Sequence, residues 1–272
     1  MAMAGIESSF FDLTRFDALS RLDTPIHRLE PRIKVLTTMV FIVAVVSFDK
    51  YRVSALLPFV LYPVVLITLG DLPLRYLAGK VFLALPFAFF IGVFNPFFDR
   101  EVLVRFGPVG VSGGWISFAS ILIRFGLTVT TALALVATTG MYDLCRALDR
   151  LGVPRALTVQ LLFLYRYLFV LVDEGSRMQR ARSLRSFGNR GTGLRVYSHM
   201  IGQLLLRTLD RAQRIHAAML CRGFDGELRL TRSSSIGKRD ILFFCGWTAA
   251  FLLMRIYDLP AWAGKIATGM VR

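Results

Sequence analysis

At 272 residues, 55% of them hydrophobic and with a mean hydropathy of +0.57, the chain is too apolar for an ordinary soluble domain and long enough for several membrane spans. Its formal net charge of +15 has two readings, the basic cytoplasmic loops of a membrane protein or a nucleic-acid-binding face; the cations lie between apolar runs without an aromatic stacking pattern, which favours the first. Three scattered cysteines (Cys145, Cys221, Cys245) form no C-x-x-C pair and three histidines (His27, His199, His216) share no ligand spacing, so neither a disulfide framework nor a zinc site is expected.

Residues 1–32 form an N-terminal segment. Ile6, Phe10, Leu13, Phe16, Leu19 and Leu22 recur at three- and four-residue steps, with Asp12, Arg15, Asp17 and Arg21 mostly between them. That period predicts an amphipathic helix lying in the membrane interface, the alternative being a poorly ordered terminus. Met1 to Asp23 holds no apolar core of a signal peptide, so no cleavage is expected. Pro31 stops one element, and Arg28, Arg32 and Lys34 mark the cytoplasmic foot of the first span.

Residues 33–140 read as a membrane domain of four spans. Val35–Phe48 is short, so the first span is expected to start at Ile33 with Lys34 snorkelling. Val53–Leu69 carries Pro58 and Pro63, tolerated where neighbouring helices satisfy freed carbonyls. Gly70–Arg75 reads as a loop, Val81–Phe98 as the third span with Pro86 inside it, and Asp99–Gly114 as an extracytoplasmic loop. Trp115–Thr139 is the fourth span, with an interfacial tryptophan and a Thr/Ala-rich second half suited to close packing. Arg124 inside it costs at least about 2.5 kcal/mol on the insertion scale. It either faces a partner or polar cavity, or reaches a headgroup from a shifted span.

Residues 141–239 hold 18 of the 33 Lys+Arg against seven acids. Leu151–Pro154 is a break. Ala156–Val172 is apolar around Arg166; it could be a further span, but a buried or interfacial helix is favoured, since a charged, helix-friendly stretch continues it to Ser186. A second helix is predicted from about Arg195 to Cys221, with Val196, Met200, Leu204, Thr208, Ala212, Ile215 and Met219 on one face and Arg207, Arg211 and Arg214 on the other. Gly223 ends it. Residues 240–272 supply the last span, Ile241–Tyr257, and a short tail. The fold class expected is therefore an all-α integral membrane protein with about five transmembrane helices and a cytoplasmic helical domain between the fourth and last spans.

The basic block contains an internal repeat. Ala181-Arg-Ser-Leu184-Arg185-Ser186-Phe187 and Ala218-Met-Leu-Cys221-Arg222-Gly223-Phe224 are both Ala-x-x-x-Arg-small-Phe. Alanine and arginine sit one helical turn apart. Each copy is either an ordinary helix end, with a basic last turn complementing the dipole and a small capping residue, or a docking tip. In the second reading the arginine supplies a planar fork of five donors and the phenylalanine an apolar anchor for helix-in-groove recognition.

These residues resemble the transmembrane component of energy-coupling-factor transporters, nearest the CbiQ-like cobalt/nickel branch. His27–Lys34 resembles the family's lead-in to its first span. Leu151-Gly-Val-Pro154, followed by Arg166-Tyr167 and Asp173-Glu174, resembles the start of its coupling domain. Leu184-Arg185-Ser186 and Cys221-Arg222-Gly223 are similar to its two Ala-Arg-Gly signatures, departing at Leu184, Ser186 and Cys221. Arg182, in Ala181-Arg182-Ser183, is a rival register for the first; Arg185 is preferred because both arginines then follow an alanine by four residues.

The resemblance implies a cytoplasmic coupling role in the cell membrane. Arg185 and Arg222 would each enter a groove on one of two ABC-type ATPases, and closure of that pair would reshape a separate substrate-binding membrane subunit. ATP and magnesium would sit on the ATPases, with no cofactor or metal held by this chain. In agreement, there is no Gly-x-x-x-x-Gly-Lys phosphate loop and no cluster of metal-ligating side chains in the spans. A self-contained carrier would need ionisable groups converging at the midplane, which Arg124 alone does not supply. An intramembrane enzyme would need a base beside Ser117 or Ser120. No nucleic-acid partner is expected.

Overall fold

The computed structural model describes residues 15–49, 51, 53–98, 102–106, 109–185, 193–226 and 236–256. In a chain this apolar, helices close their backbone hydrogen bonds within the segment and dominate the fold. In order they are α1 (Pro31–Val46), a 3-10 helix (Ser54–Val60) running into α2 (Leu61–Leu69), α3 (Leu74–Gly92) and the one-turn α4 (Asn95–Phe98). An antiparallel hairpin of β1 (Val102–Phe106) and β2 (Val109–Ser112) follows. Then come α5 (Gly113–Thr139), α6 (Met141–Arg150), α7 (Arg155–Arg185), α8 (Leu194–Cys221) and α9 (Lys238–Ile256). Two compact units emerge, one of Phe16–Leu144 with Ser234–Arg272, the other of Met1–Arg15 with Cys145–Ser233. By length and composition α3, α5 and α7 can each cross a membrane, and Ser54–Leu69 is a shorter apolar helix.

In the first unit, helix directions follow from end-to-end contacts. Lys34 Nζ, near the start of α1, donates to the Thr138 carbonyl at the end of α5 (2.9 Å), so these helices are antiparallel. The Glu30 N–H donates to Asp240 Oδ1 at the start of α9 (2.9 Å), and Arg255 near the end of α9 donates to Ser47 Oγ past the end of α1 (2.9 Å), so α1 and α9 run parallel. Gly70, just after α2, lies against Thr138. The starts of α1 and α9 and the ends of α2 and α5 therefore share one face.

The core between these helices is aromatic. Phe41, Phe59, Tyr62 and Phe251 are fully buried. Phe41 meets Tyr62 at 4.9 Å, Phe59 stacks on Phe251 at 5.9 Å, and Trp247 packs edge-on to Tyr62 at 4.9 Å; such pairs add about 0.5–1.5 kcal/mol each beyond burial. Along α5 the buried positions are mostly small, among them Ser117, Ser120, Thr131, Ala134, Ala137 and Thr138, with Leu127 the large exception. Thr131 and Thr138 return their hydroxyls to carbonyls four residues back, at 2.8 Å each, so they pack without exposing a polar group. Where α3 meets α5, a Cβ at Gly92 would come within 2.8 Å of the Phe118 ring, which explains glycine there.

Several expectations change. Lys34 does not snorkel: it is 3% exposed, because the Thr138 carbonyl in the last turn of α5 offers an acceptor and Glu30, Asp143 and Asp240 act on its charge. The third helix starts at Leu74 rather than Val81, with Pro73 capping it, so the loop before it is short. The Asp99–Gly114 loop contains the β-hairpin, and Gly113 and Gly114 already belong to α5. Of the N-terminal amphipathic helix, residues 6–14 lie outside the described residues; residues 15–19 are helical, with Phe16 and Leu19 packed against the core and the Phe16 ring 5.4 Å from Tyr76. Of that apolar stripe, the protein's own core takes up Phe16 and Leu19, while Leu22 is exposed.

In the second unit α7 and α8 form an antiparallel hairpin. Arg207 of α8 pairs with Glu174 of α7 at 2.7 Å, and the Arg182 guanidinium lies over the Tyr197 ring, 4.6 Å from its centroid. The predicted halves of α7 are one uninterrupted 31-residue helix with Arg166 exposed. The α8 boundary matches its prediction within a residue, and Val196, Met200, Leu204, Thr208, Ile215 and Met219 are half-buried, as is Tyr197, while Ala212 is exposed. The assignment of Arg207 to the far face is corrected, since it reaches Glu174; Arg211 and Arg214 are exposed. The uncovered face instead carries Ile201, Leu205, Leu206 and Leu209.

Candidate functional site

Both arginine motifs fall at helix ends. Arg185 is the last residue of α7 and Arg222 is the C-cap of α8, each one turn past its alanine. Ala181, Leu184 and Arg185 are exposed, as are Ala218, Cys221, Arg222 and Gly223; Phe224 is half-buried. Ser186 and Phe187 lie outside the described residues. Leu184 stands out at 84% exposure, an apolar side chain held in the open beside the arginine.

The backbone explains the second signature. Gly223 takes φ +79°, a left-handed conformation in which any Cβ is strained. Its N–H donates to the Leu220 carbonyl and the Phe224 N–H to the Met219 carbonyl, each at 3.0 Å, the paired bonds of a Schellman closure. The helix is thus shut directly behind Arg222, which is exposed.

The antiparallel hairpin separates the two tips. Along the helices and through the Glu174–Arg207 pair, Arg185 and Arg222 are roughly 40 Å apart at about 1.5 Å per residue. The rival arginine of the first motif is used differently. Arg182 is turned onto α8, over Tyr197 and with Nη1 3.9 Å from Met200 Sδ. Neither the Tyr197 contact nor the Glu174–Arg207 pair was visible in the sequence, because each depends on the hairpin register and not on spacing within one helix. Both lie along a cleft of about 660 Å³ between α7 and α8.

Arg124, the charge inside the fourth span, meets the chain's own turn. Its Nη2 donates to the Asp49 carbonyl at 2.6 Å. That turn follows α1, which at 16 residues is about 24 Å long, and the contact is exposed. Arg124 satisfies a carbonyl there, and Arg255 does the same for the Ser47 hydroxyl while lying over the Phe48 ring at 5.5 Å. The Arg124 Nε, in contrast, is buried with no hydrogen-bond partner among the described residues. Ser117 and Ser120 are buried with hydroxyls that meet no hydrogen-bond partner among the described residues. Among those residues no group of three or more His, Cys, Asp or Glu is placed to hold a metal.

Comparison with known proteins agrees with the membrane architecture. A family model described as CbiQ, cobalt transport protein, matches residues 23–232. An uncharacterized protein of Methanocaldococcus jannaschii is 25% identical over 253 residues, covering 89% of this chain and 86% of that protein. The cobalt transport protein CbiQ of Rhodobacter capsulatus is 30% identical over 176 residues, 61% of this chain and 70% of that protein. The energy-coupling factor transporter transmembrane protein EcfT of Leuconostoc gelidum is 27% identical over 224 residues, 76% and 82% of the two chains.

Proposed function

Because the chain belongs to the CbiQ cobalt transport protein family, we propose that it is the coupling subunit of an energy-coupling-factor importer. It passes the ATP-driven motion of two ABC-type ATPases to a separate substrate-binding membrane subunit, with cobalt or nickel as cargo. The observation that carries this reading is the pair of exposed, arginine-tipped helix ends, Arg185 and Arg222, set roughly 40 Å apart along one hairpin. Two separated tips of one chemistry suit two copies of one partner. A guanidinium fork suits acidic or carbonyl-lined grooves. The Glu174–Arg207 pair and the Arg182–Tyr197 contact tie α7 to α8, so displacing one tip moves the other helix as well. The cargo is favoured by the printed names of relatives such as the Rhodobacter capsulatus protein.

Helix parity together with the arginine bias supports one side of the membrane as the motor side. Residues leaving α5 and residues entering α9 share one face of the first unit, the face where Lys34 meets Thr138 and Glu30 meets Asp240. The segment between them carries most of the chain's arginine excess, which favours the cytoplasmic side. A crossing by α7 would need a second crossing to return, and α8 is not among the described helices apolar enough for one. On this reading α7 and α8 stay on the cytoplasmic face.

The test is co-purification in detergent of the two ATPases and the membrane partner with wild type, Arg185→Glu, Arg222→Glu and the double variant, with ATP hydrolysis measured on each complex. The double variant is expected to insert normally and lose the ATPases; each single variant is expected to lose mainly coupled hydrolysis. If all three hold the ATPases and hydrolyse ATP like wild type, the motifs are helix ends only, and a self-contained carrier becomes the better reading.

A further inference from the structure

The cleft between α7 and α8 gathers more positive charge than the Arg185 tip alone brings to it. One face of α7 contributes Glu174, Arg177, Arg182 and Arg185, and one face of α8 contributes His199 and Arg207, around a volume of about 660 Å³. The single carboxylate, Glu174, is committed to Arg207 at 2.7 Å, and Arg182 lies over the Tyr197 ring. Arg177 and Arg185 have no ion-pair partner among the described residues. Four guanidinium groups facing one carboxylate repel one another, and an anion between them relieves that repulsion.

We propose that this cleft binds a phosphate-bearing anion, either the headgroup of an anionic phospholipid or a soluble phosphate. Arginine forks pair bidentately with phosphate oxygens. Arg177 and Arg185 border the cleft from α7, and His199 and Arg207 border it from α8. Met178, Ala181, Val196 and Met200 line the remaining wall, leaving an apolar surface for the ester side of the ligand. The bound anion bridges α7 to α8 and stiffens the hairpin. No ATPase is needed for this; the cleft shares Ala181 and Arg185 with the first arginine motif, but Arg177 belongs to neither motif, so its variants test the site apart from the coupling role.

The experiment uses the full chain purified in a neutral maltoside. Its thermal midpoint is titrated, at fixed ionic strength, with inorganic phosphate, with a short-chain phosphatidylglycerol and with phosphatidylcholine of the same chain length. Phosphatidylglycerol, phosphate or both are expected to raise the midpoint. Arg177→Gln is expected to raise the half-effect concentration about ten-fold or more, as loss of a charge-assisted hydrogen bond implies. Arg177→Lys, which keeps the charge and loses the fork, falls between; Arg75→Gln, on the exposed side of α3, behaves like wild type. A response to phosphatidylglycerol alone assigns a lipid headgroup, and one to phosphate alone assigns a soluble anion. No response to either, an equal response to phosphatidylcholine, or a folded Arg177→Gln or Arg177→Lys protein that responds like wild type overturns the proposal.

Discussion

His27 precedes α1 and is half-buried. Its Nε2 lies 3.0 Å from the Leu19 carbonyl and its Nδ1 2.7 Å from Thr24 Oγ1. A neutral ring protonated on Nε2 satisfies both, with Nε2–H donating to the carbonyl and the threonine hydroxyl donating to Nδ1. Burial first, and then the Lys34 ammonium, hold its pKa below the ordinary value of 6.5, outweighing the Leu19 and Ala137 carbonyls and Asp23, which act the other way. The unfolded chain then takes the proton more readily than the folded one. The His27 contribution is fully present above about pH 6.5 and is lost as pH falls through the folded-state pKa. The thermal midpoint in detergent is therefore expected to drop between pH 7 and pH 5, with a shallower drop for His27→Gln. An unchanged slope in that variant would show that other groups carry the acid sensitivity. At this scale the sequence was a partial guide. It marked Lys34 and Arg124 as charges beside or within spans, but which carbonyl each would meet depends on where α5 ends and how short α1 is.

The helices were largely legible from the sequence, and α8 shows both why and where that stopped. Its limits and its half-buried positions follow from apolar spacing, and its stop follows from Gly223. The face given to Arg207 did not follow, since a long arginine reaches sideways to a carboxylate on the next helix. An exposed pair of this kind stabilises by about 0.2–1 kcal/mol. The start of α3 was misplaced because Arg75 and Lys80 made its first turns look like loop, although both suit the outer surface of a helix. Of the candidate site, the two arginine ends were visible as a repeat, whereas the arginine cleft behind them needed the pairing of α7 with α8. Two glycines of α8 give a test of opposite signs. Gly202 is exposed mid-helix, and nothing lies within 4 Å of where an added methyl group would sit, so Gly202→Ala is expected to stabilise by about 0.5–1 kcal/mol through backbone entropy. Gly223 is equally uncrowded, yet Gly223→Ala is expected to destabilise by about 1–2 kcal/mol because of its φ of +79°. Hydrogen exchange across residues 194–226 reads both, and stabilisation by each would mean that the helix end is not held in the Schellman form.

For the whole molecule the deciding question is how many times the chain crosses between α5 and α9. Composition alone favours a crossing by α7, whose first half is apolar enough. The first unit argues otherwise, because α5 ends and α9 begins on the same face, and an odd number of crossings between them cannot satisfy that. Arg166, exposed near the middle of the apolar half of α7, adds a cost of at least about 2.5 kcal/mol to a lone crossing. Side-specific thiol labelling separates the cases. With Cys145→Ala and Cys245→Ala in place, the exposed Cys221 at the end of α8 is the remaining thiol. It is expected to react with a membrane-impermeant maleimide in inside-out vesicles and to be protected in right-side-out ones. Tyr51→Cys in the same background, in the turn after α1, is expected to give the reverse pattern, provided Cys221 is also changed to alanine. Labelling of Cys221 from the outside would mean that α7 crosses and that the chain returns between residues 222 and 237. The basic hairpin would then face away from the ATP-bearing side of the membrane, where no ATPase could reach Arg185 or Arg222.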